Sequence, residues 1–189
     1  MSTEESDTAK DFVSMLLNPS STAANWYASI GIFGLFLGIL NILGHIHPTY
    51  HVSWGGLLTF ETWNAAFEPK SEDGIQVVLS DAIFLGFCAA LTSLAFRTFG
   101  NQELGVGGWF KGLIINDTWP CLVDPDFGGW NKLFGAWSLL LGFVFYFYYG
   151  IVNTGWIDIG VYSISIALIA FGLGLLMAAN APEGDDNLD

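Results

Sequence analysis

Basic residues are nearly missing from this chain: lysine and arginine together number five in 189 residues, against eighteen aspartates and glutamates, for a net charge of -13. That shortage argues against nucleic acid and anionic lipid surfaces as partners, since both are gripped by Lys/Arg clusters. Charge of either sign is scarce, at 12% of residues, where soluble domains run near roughly 25%. With 52% hydrophobic residues and a positive mean hydropathy, the composition is that of a membrane protein. The acids that remain are read as solvation of loops and tails. Cysteine is also rare. Cys88 falls in an apolar segment and Cys121 in a polar connection, and their different expected depths argue against an intrachain disulfide. The acidic stretch 1–24 lacks the basic and apolar regions of a cleavable signal peptide. Familiar catalytic motifs are missing too: there is no Gly-x-Ser-x-Gly, Cys-x-x-Cys, P-loop or His-Glu-x-x-His. A nucleophilic Cys88 would lie in mid-membrane with no histidine at its depth. No catalytic residue is assigned.

What the chain does have is long apolar runs. Segments 26–44, 76–96, 133–150 and 157–178 are each long enough to cross a hydrocarbon core of roughly 30 Å, which takes about twenty helical residues. The expected fold is all-α and integral to the membrane: a bundle of four transmembrane helices preceded by a short interfacial helix. That helix is placed at 8–17, with Phe12, Met15 and Leu16 as its apolar face and Asn18-Pro19 as its stop. Three regions follow: an acidic cytoplasmic N-terminus (1–24), one transmembrane domain (25–179) and an acidic, disordered tail (180–189). Basic residues set orientation. Four spans put Lys10, Arg97, Lys111 and Lys132 on one side and Lys70 on the other, so both termini are expected in the cytoplasm.

The connection 97–132 carries a small internal echo, Gly107-Gly108-Trp109-Phe110-Lys111 and Gly128-Gly129-Trp130-Asn131-Lys132. Both copies read as interfacial anchors, with tryptophan in the headgroup layer and lysine reaching to water. Gly105-Val-Gly107-Gly108 is not taken as a phosphate loop, because no strand precedes it and no helix start is expected there.

Helix faces carry the next signal. Gly31, Gly34, Gly38, Asn41 and His45 recur at steps of three and four, which sets all five on one face. Such a stripe is read either as a packing surface or as a face that delivers His45, with Asn41 below it, to a cofactor. In the second span Asp81, Cys88 and Thr92 share a face, with Asp81 about 7 Å into the span at 1.5 Å per residue. A carboxylate in that position is costly. It is read either as a ligand or as a group that snorkels or pairs with a neighbour. Ser163, Ala167, Ala170 and Gly174 form a small-residue stripe expected to pack helices. Phe143, Phe145, Tyr146, Phe147, Tyr148 and Tyr149 crowd the end of the third span, suiting an interfacial belt or contacts with a carotenoid, chlorophyll or quinone.

All three histidines lie within seven residues, His45-Ile-His47-Pro-Thr-Tyr-His51, where the first span meets polar sequence. Pro48 favours extended backbone at His47, so His45 and His47 can point the same way, with His51 folding back. His45, His47, His51 and Asp81 (or Glu61) would suit copper, zinc or iron, whereas a chlorophyll-type pigment needs a single imidazole. The leading expectation is a small subunit of a larger redox or light-driven membrane complex. It would pack helices and support a metal or pigment at the non-cytoplasmic edge. Its partners would be the lipid bilayer and other membrane subunits, or copies of itself. Two alternatives stand beside it: a copper- or iron-dependent membrane oxidase or monooxygenase subunit, and a small oligomeric channel or carrier lined by Asp81, Cys88 and Thr92.

Overall fold

The computed structural model describes residues 2–58, 66–72 and 74–181, with the side chains of 2–9, 57 and 58 excepted. Glu61 and nearly all of the acidic tail therefore lie outside the described residues. The elements are α1 (Ser2–Leu17), α2 (Ser21–Ile42), β1 (Tyr50–Val52), α3 (Trp54–Leu58), β2 (Phe67–Pro69), α4 (Leu79–Gly100), α5 (Gly105–Ile114), α6 (Gly129–Asn153) and α7 (Ile159–Ala179). Two single-turn 3-10 segments, Trp119–Leu122 and Pro125–Phe127, precede α6. Four helices, α2, α4, α6 and α7, are long and apolar enough to cross a membrane. The chain divides into two compact units, Met1–Lys111 and Gly112–Asp189, each organised around one antiparallel pair of these helices.

In the first unit Pro19 separates α1 from α2, and the Ser20 hydroxyl caps α2 by accepting from the Ala23 amide at 3.3 Å. The apolar face read for α1 is exposed at Phe12, Met15 and Leu16. α1 begins earlier than expected, at Ser2. Its C-terminal end is tied to the unit: Arg97 donates to the Leu17 carbonyl and to Asn18 Oδ1. The glycines Gly31, Gly34 and Gly38 are buried against α4. A Cβ on Gly31 would stand 2.8 Å from the Cys88 carbonyl oxygen, and one on Gly38 would press into the Leu85 side chain. Glycine is what lets the two backbones approach.

Helix α2 stops before His45. Gly44 takes φ +68°, its N–H donates to the Asn41 carbonyl, and the His45 N–H donates to the Leu40 carbonyl at 2.8 Å. This is a Schellman termination, and only glycine occupies the left-handed position without strain. The stripe therefore holds for Gly31, Gly34, Gly38 and Asn41 and breaks at His45, because α2 ends at Ile42 and the chain turns at Gly44.

Two expectations about connections change. Residues 75–78 lie outside helix and strand, with Val78 extended, and α4 starts at Leu79, so Asp81 sits in the first turn of its helix, not deep in the span. In the second connection α5 starts at Gly105, where no helix start was expected, and it packs by its aromatic side. Trp109 stacks on Phe99 with centroids 5.2 Å apart, and its indole N–H donates to Asn25 at 2.8 Å. Ala24, Ala28, Ala95 and Phe99 form the core beneath it.

In the second unit α6 and α7 pair through glycines as well. Positions 135 and 172 bring the two backbones together: a Cβ on Gly172 would lie 2.7 Å from the Gly135 carbonyl oxygen. The α7 face that makes this contact carries Val161, Ser165, Gly172 and Leu176. Ser163, Ala167, Ala170 and Gly174 are exposed, so the stripe read from the sequence is not the α6 contact. Of the aromatic run, Tyr146 turns inward and donates to the Trp156 carbonyl at 2.9 Å. Phe143, Phe147, Tyr148 and Tyr149 are exposed. Cys88, in the first unit, and Cys121, in the second, are both buried free thiols.

Candidate functional site

Polar groups converge where the end of α2, strand β1 and the first turn of α4 meet. Asn41, His51 and Asp81 are each no more than 1% exposed. Burying three polar side chains beside apolar helices is costly unless they satisfy one another. Asn41 does most of that. Its Oδ1 accepts from the Val52 amide at 2.8 Å, and its Nδ2 lies 2.9 Å from the Val52 carbonyl and 2.8 Å from Asp81 Oδ1. One amide thus mimics a strand partner for Val52 while holding the carboxylate of α4.

The antiparallel pairing of β1 with β2 (Tyr50↔Pro69, His51↔Glu68, Val52↔Phe67) presents the other side of β1 to Asn41. Asp81 is also a helix cap: its Oδ2 accepts from the Val78 amide at 3.0 Å. A carboxylate at the third helical position reaches back to the N-cap and meets the positive end of the helix dipole.

Counting protons fixes the histidine. Asn41 Nδ2 carries two hydrogens, and the Val52 carbonyl and Asp81 Oδ1 take both. His51 Nε2, 3.1 Å from the same nitrogen and 3.3 Å from Asp81 Oδ2, is therefore assigned as a donor to the carboxylate. The ring's other nitrogen, Nδ1, is buried with no partner among the described residues. Asp81 thus meets the imidazole at Nε2 and not at the open Nδ1.

The remaining histidines go elsewhere. His47 Nδ1 accepts from the Thr49 and Tyr50 amides, each at 3.2 Å, so it closes the turn at Pro48 and its ring lies against Tyr50. His45 is exposed just past the end of α2. Among the described residues, no three His, Cys, Asp or Glu side chains gather as a group able to hold a metal ion. Of the four residues read as a metal set, the structure joins His51 to Asp81, through Asn41, and gives His45 and His47 separate surroundings. Cys88 and Thr92 face the α2 glycines, and the Thr92 hydroxyl donates to the Cys88 carbonyl at 2.9 Å. That face is packed by α2.

Two residues of the site were not read from the sequence. Trp54 begins α3, is 7% exposed and stacks on Phe84 with centroids 3.9 Å apart and planes 8° apart. Ser80 precedes Asp81 in the first turn of α4. The signal for Trp54 was its distance of three residues from His51. Ser80 carried none.

No protein-family model, curated protein or solved structure was found to match the chain.

Proposed function

We propose that this chain is a small integral-membrane subunit of a larger redox or light-driven membrane complex, its four spans gathered in a bundle with both termini in the cytoplasm. The observation that carries this reading is how narrow the contact is within each unit, where α2 meets α4 and α6 meets α7 along one side lined by glycines. The chain's own packing uses one narrow glycine-lined side of each helix. Outside the α6–α7 contact lie the small-residue stripe of α7 and the aromatic surface of α6. On that surface Leu141, Val144, Phe145, Tyr148, Tyr149 and Leu168 line an open apolar groove of about 520 Å³. Lipid covers part of such a surface, and flat or chain-like apolar partners suit the rest.

A cofactor at the non-cytoplasmic edge would be reached by His45, the exposed imidazole at the end of α2. The buried His51 has no such access. The oxidase alternative needs His45, His47 and His51 on one ion, and their separate surroundings lend it no support. The channel alternative needs an open path along Cys88 and Thr92, where α2 packs.

Extraction of native membranes in mild detergent tests the proposal. Co-migration with other membrane polypeptides at fixed stoichiometry is expected, and a folded solitary monomer in lipid overturns it. If a pigment is bound, His45→Ala alters the visible absorption and His47→Ala leaves it unchanged. Protease added outside intact cells spares the C-terminal tail, whereas cleavage there reverses the orientation.

A further inference from the structure

The corner around His51 contains more unmet hydrogen-bonding capacity than a dry interior tolerates. His51 Nδ1, Trp54 Nε1 and Ser80 Oγ are buried atoms without a hydrogen-bond partner among the described residues. Native proteins leave few such atoms, and each costs about 1–3 kcal/mol when it stays unmet. These three belong to one corner. His51 Nε2 is 3.3 Å from Asp81, Ser80 is the residue before Asp81, and Trp54 stacks on Phe84, one helical turn beyond Ser80. Gly55 brings α3 against Ser80: a Cβ there would lie 3.7 Å from the Ser80 Cβ. All three open atoms thus belong to residues packed around the first turn of α4.

Their chemistry defines what fits. With Nε2–H committed to Asp81, neutral His51 offers a lone pair. Trp54 offers an N–H and nothing else, and the Ser80 hydroxyl does either. A cation would meet the indole N–H with the wrong sign, and an anion would face the His51 lone pair with Asp81 behind it. A neutral molecule that both donates and accepts meets all three.

We propose that the corner between β1, α3 and the first turn of α4 is a binding site for water or a neutral hydroxylic molecule of its size. The ligand donates to His51 Nδ1, accepts from Trp54 Nε1–H and is shared with the Ser80 hydroxyl. A buried water with two to four polar partners is a regular part of protein interiors. Here it continues the Asn41–Asp81–His51 network by one further link, so the network ends at an exchangeable molecule and not at a bare nitrogen.

Nuclear magnetic resonance of the full chain in lipid nanodiscs, with histidine and tryptophan labelled by nitrogen-15, tests the site. Trp54→Phe keeps an aromatic ring against Phe84 and identifies the indole resonance by its loss. The expected result is cross-relaxation between water and the buried Trp54 Nε1–H, together with a shift of the His51 Nδ1 signal in Trp54→Phe. No contact with water, and an Nδ1 signal indifferent to Trp54→Phe, overturns the proposal. So does a stoichiometric change on adding Zn²⁺ that disappears in His51→Gln, because the open nitrogen would then be a metal ligand. Ser80→Ala is the second variant: it should move the same His51 signal by a smaller amount while the helical signature stays intact.

Discussion

The two helical hairpins use the same device and differ in how plainly the sequence displays it. In α2 and α4, as in α6 and α7, glycine lets two backbones close together. The first pair, however, also carries Asn41 and Asp81 at 0% exposure, and a buried amide beside a buried carboxylate marks which side of each helix must turn inward. The second pair buries no amide or carboxylate on its helices: among the described residues its buried polar members are Tyr146, which bonds to the Trp156 carbonyl beyond α6, and Ser165, whose hydroxyl has no partner there. A helix that is apolar all round offers several small-residue stripes, and spacing alone does not choose among them. Buried polarity, more than the glycines themselves, makes a transmembrane face readable.

If that contrast is sound, the largest effect comes from the amide. Asn41→Leu leaves Asp81 Oδ1 and both Val52 backbone groups unmet, and about 3–5 kcal/mol of stability should be lost. Unfolding of the purified chain in mixed detergent would measure it. A loss no larger than that of an ordinary surface change would break the comparison.

Steric replacements come next. Gly34→Leu drives a side chain into Cys88 and Phe84, with an expected cost of about 1–3 kcal/mol or more. Gly86→Leu on α4, where a Cβ meets nothing within 4 Å, should stay within about 0.5 kcal/mol. The α7 pair sharpens the point where the sequence misleads. Gly172→Leu should weaken the α6–α7 pairing by about 1–3 kcal/mol, whereas Gly174→Leu, on the stripe with the more regular small-residue spacing, should leave it unchanged. Equal effects would mean the contact face has been misplaced.

The smallest effect is at a helix cap. Asp158 accepts from the Val161 amide at 3.0 Å, so Asp158→Ala should cost about 1 kcal/mol, visible as fraying of the first turn of α7 in amide exchange.

Much of the fold was open to sequence reasoning because membrane thickness fixes span length: all four apolar helices were found, with starts shifted by two to five residues. The starts moved for local reasons. Ser20 caps α2 well before Trp26, and the non-helical stretch 75–78 delays α4 to Leu79. Glycine-rich sequence in the second connection hid α5, since Gly105, Gly107, Gly108 and Gly112 carry no helical signal of their own. The site was half visible. Asn41, His51 and Asp81 were each singled out as polar residues at one membrane edge, and they do meet. The central place of the Asn41 amide between Val52 and Asp81 was not read, since the sequence placed Asn41 only on the α2 stripe. His45 and His47 were grouped with His51 by nearness in sequence. A Schellman turn at Gly44 and a histidine-capped turn at Pro48 separate them, and neither can be read from residue spacing.

Hydrogen exchange at one amide tests the central claim most directly, that Asn41 ties the outer strand to the helical pair. The Val52 N–H donates to Asn41 Oδ1 at 2.8 Å and belongs to a residue only 2% exposed. In the native chain it should exchange slowly. In Asn41→Leu its exchange should rise on the order of a hundredfold or more, at one factor of ten per about 1.4 kcal/mol, with the amides of α7 unaffected. An unchanged rate at Val52 in that variant would contradict the account.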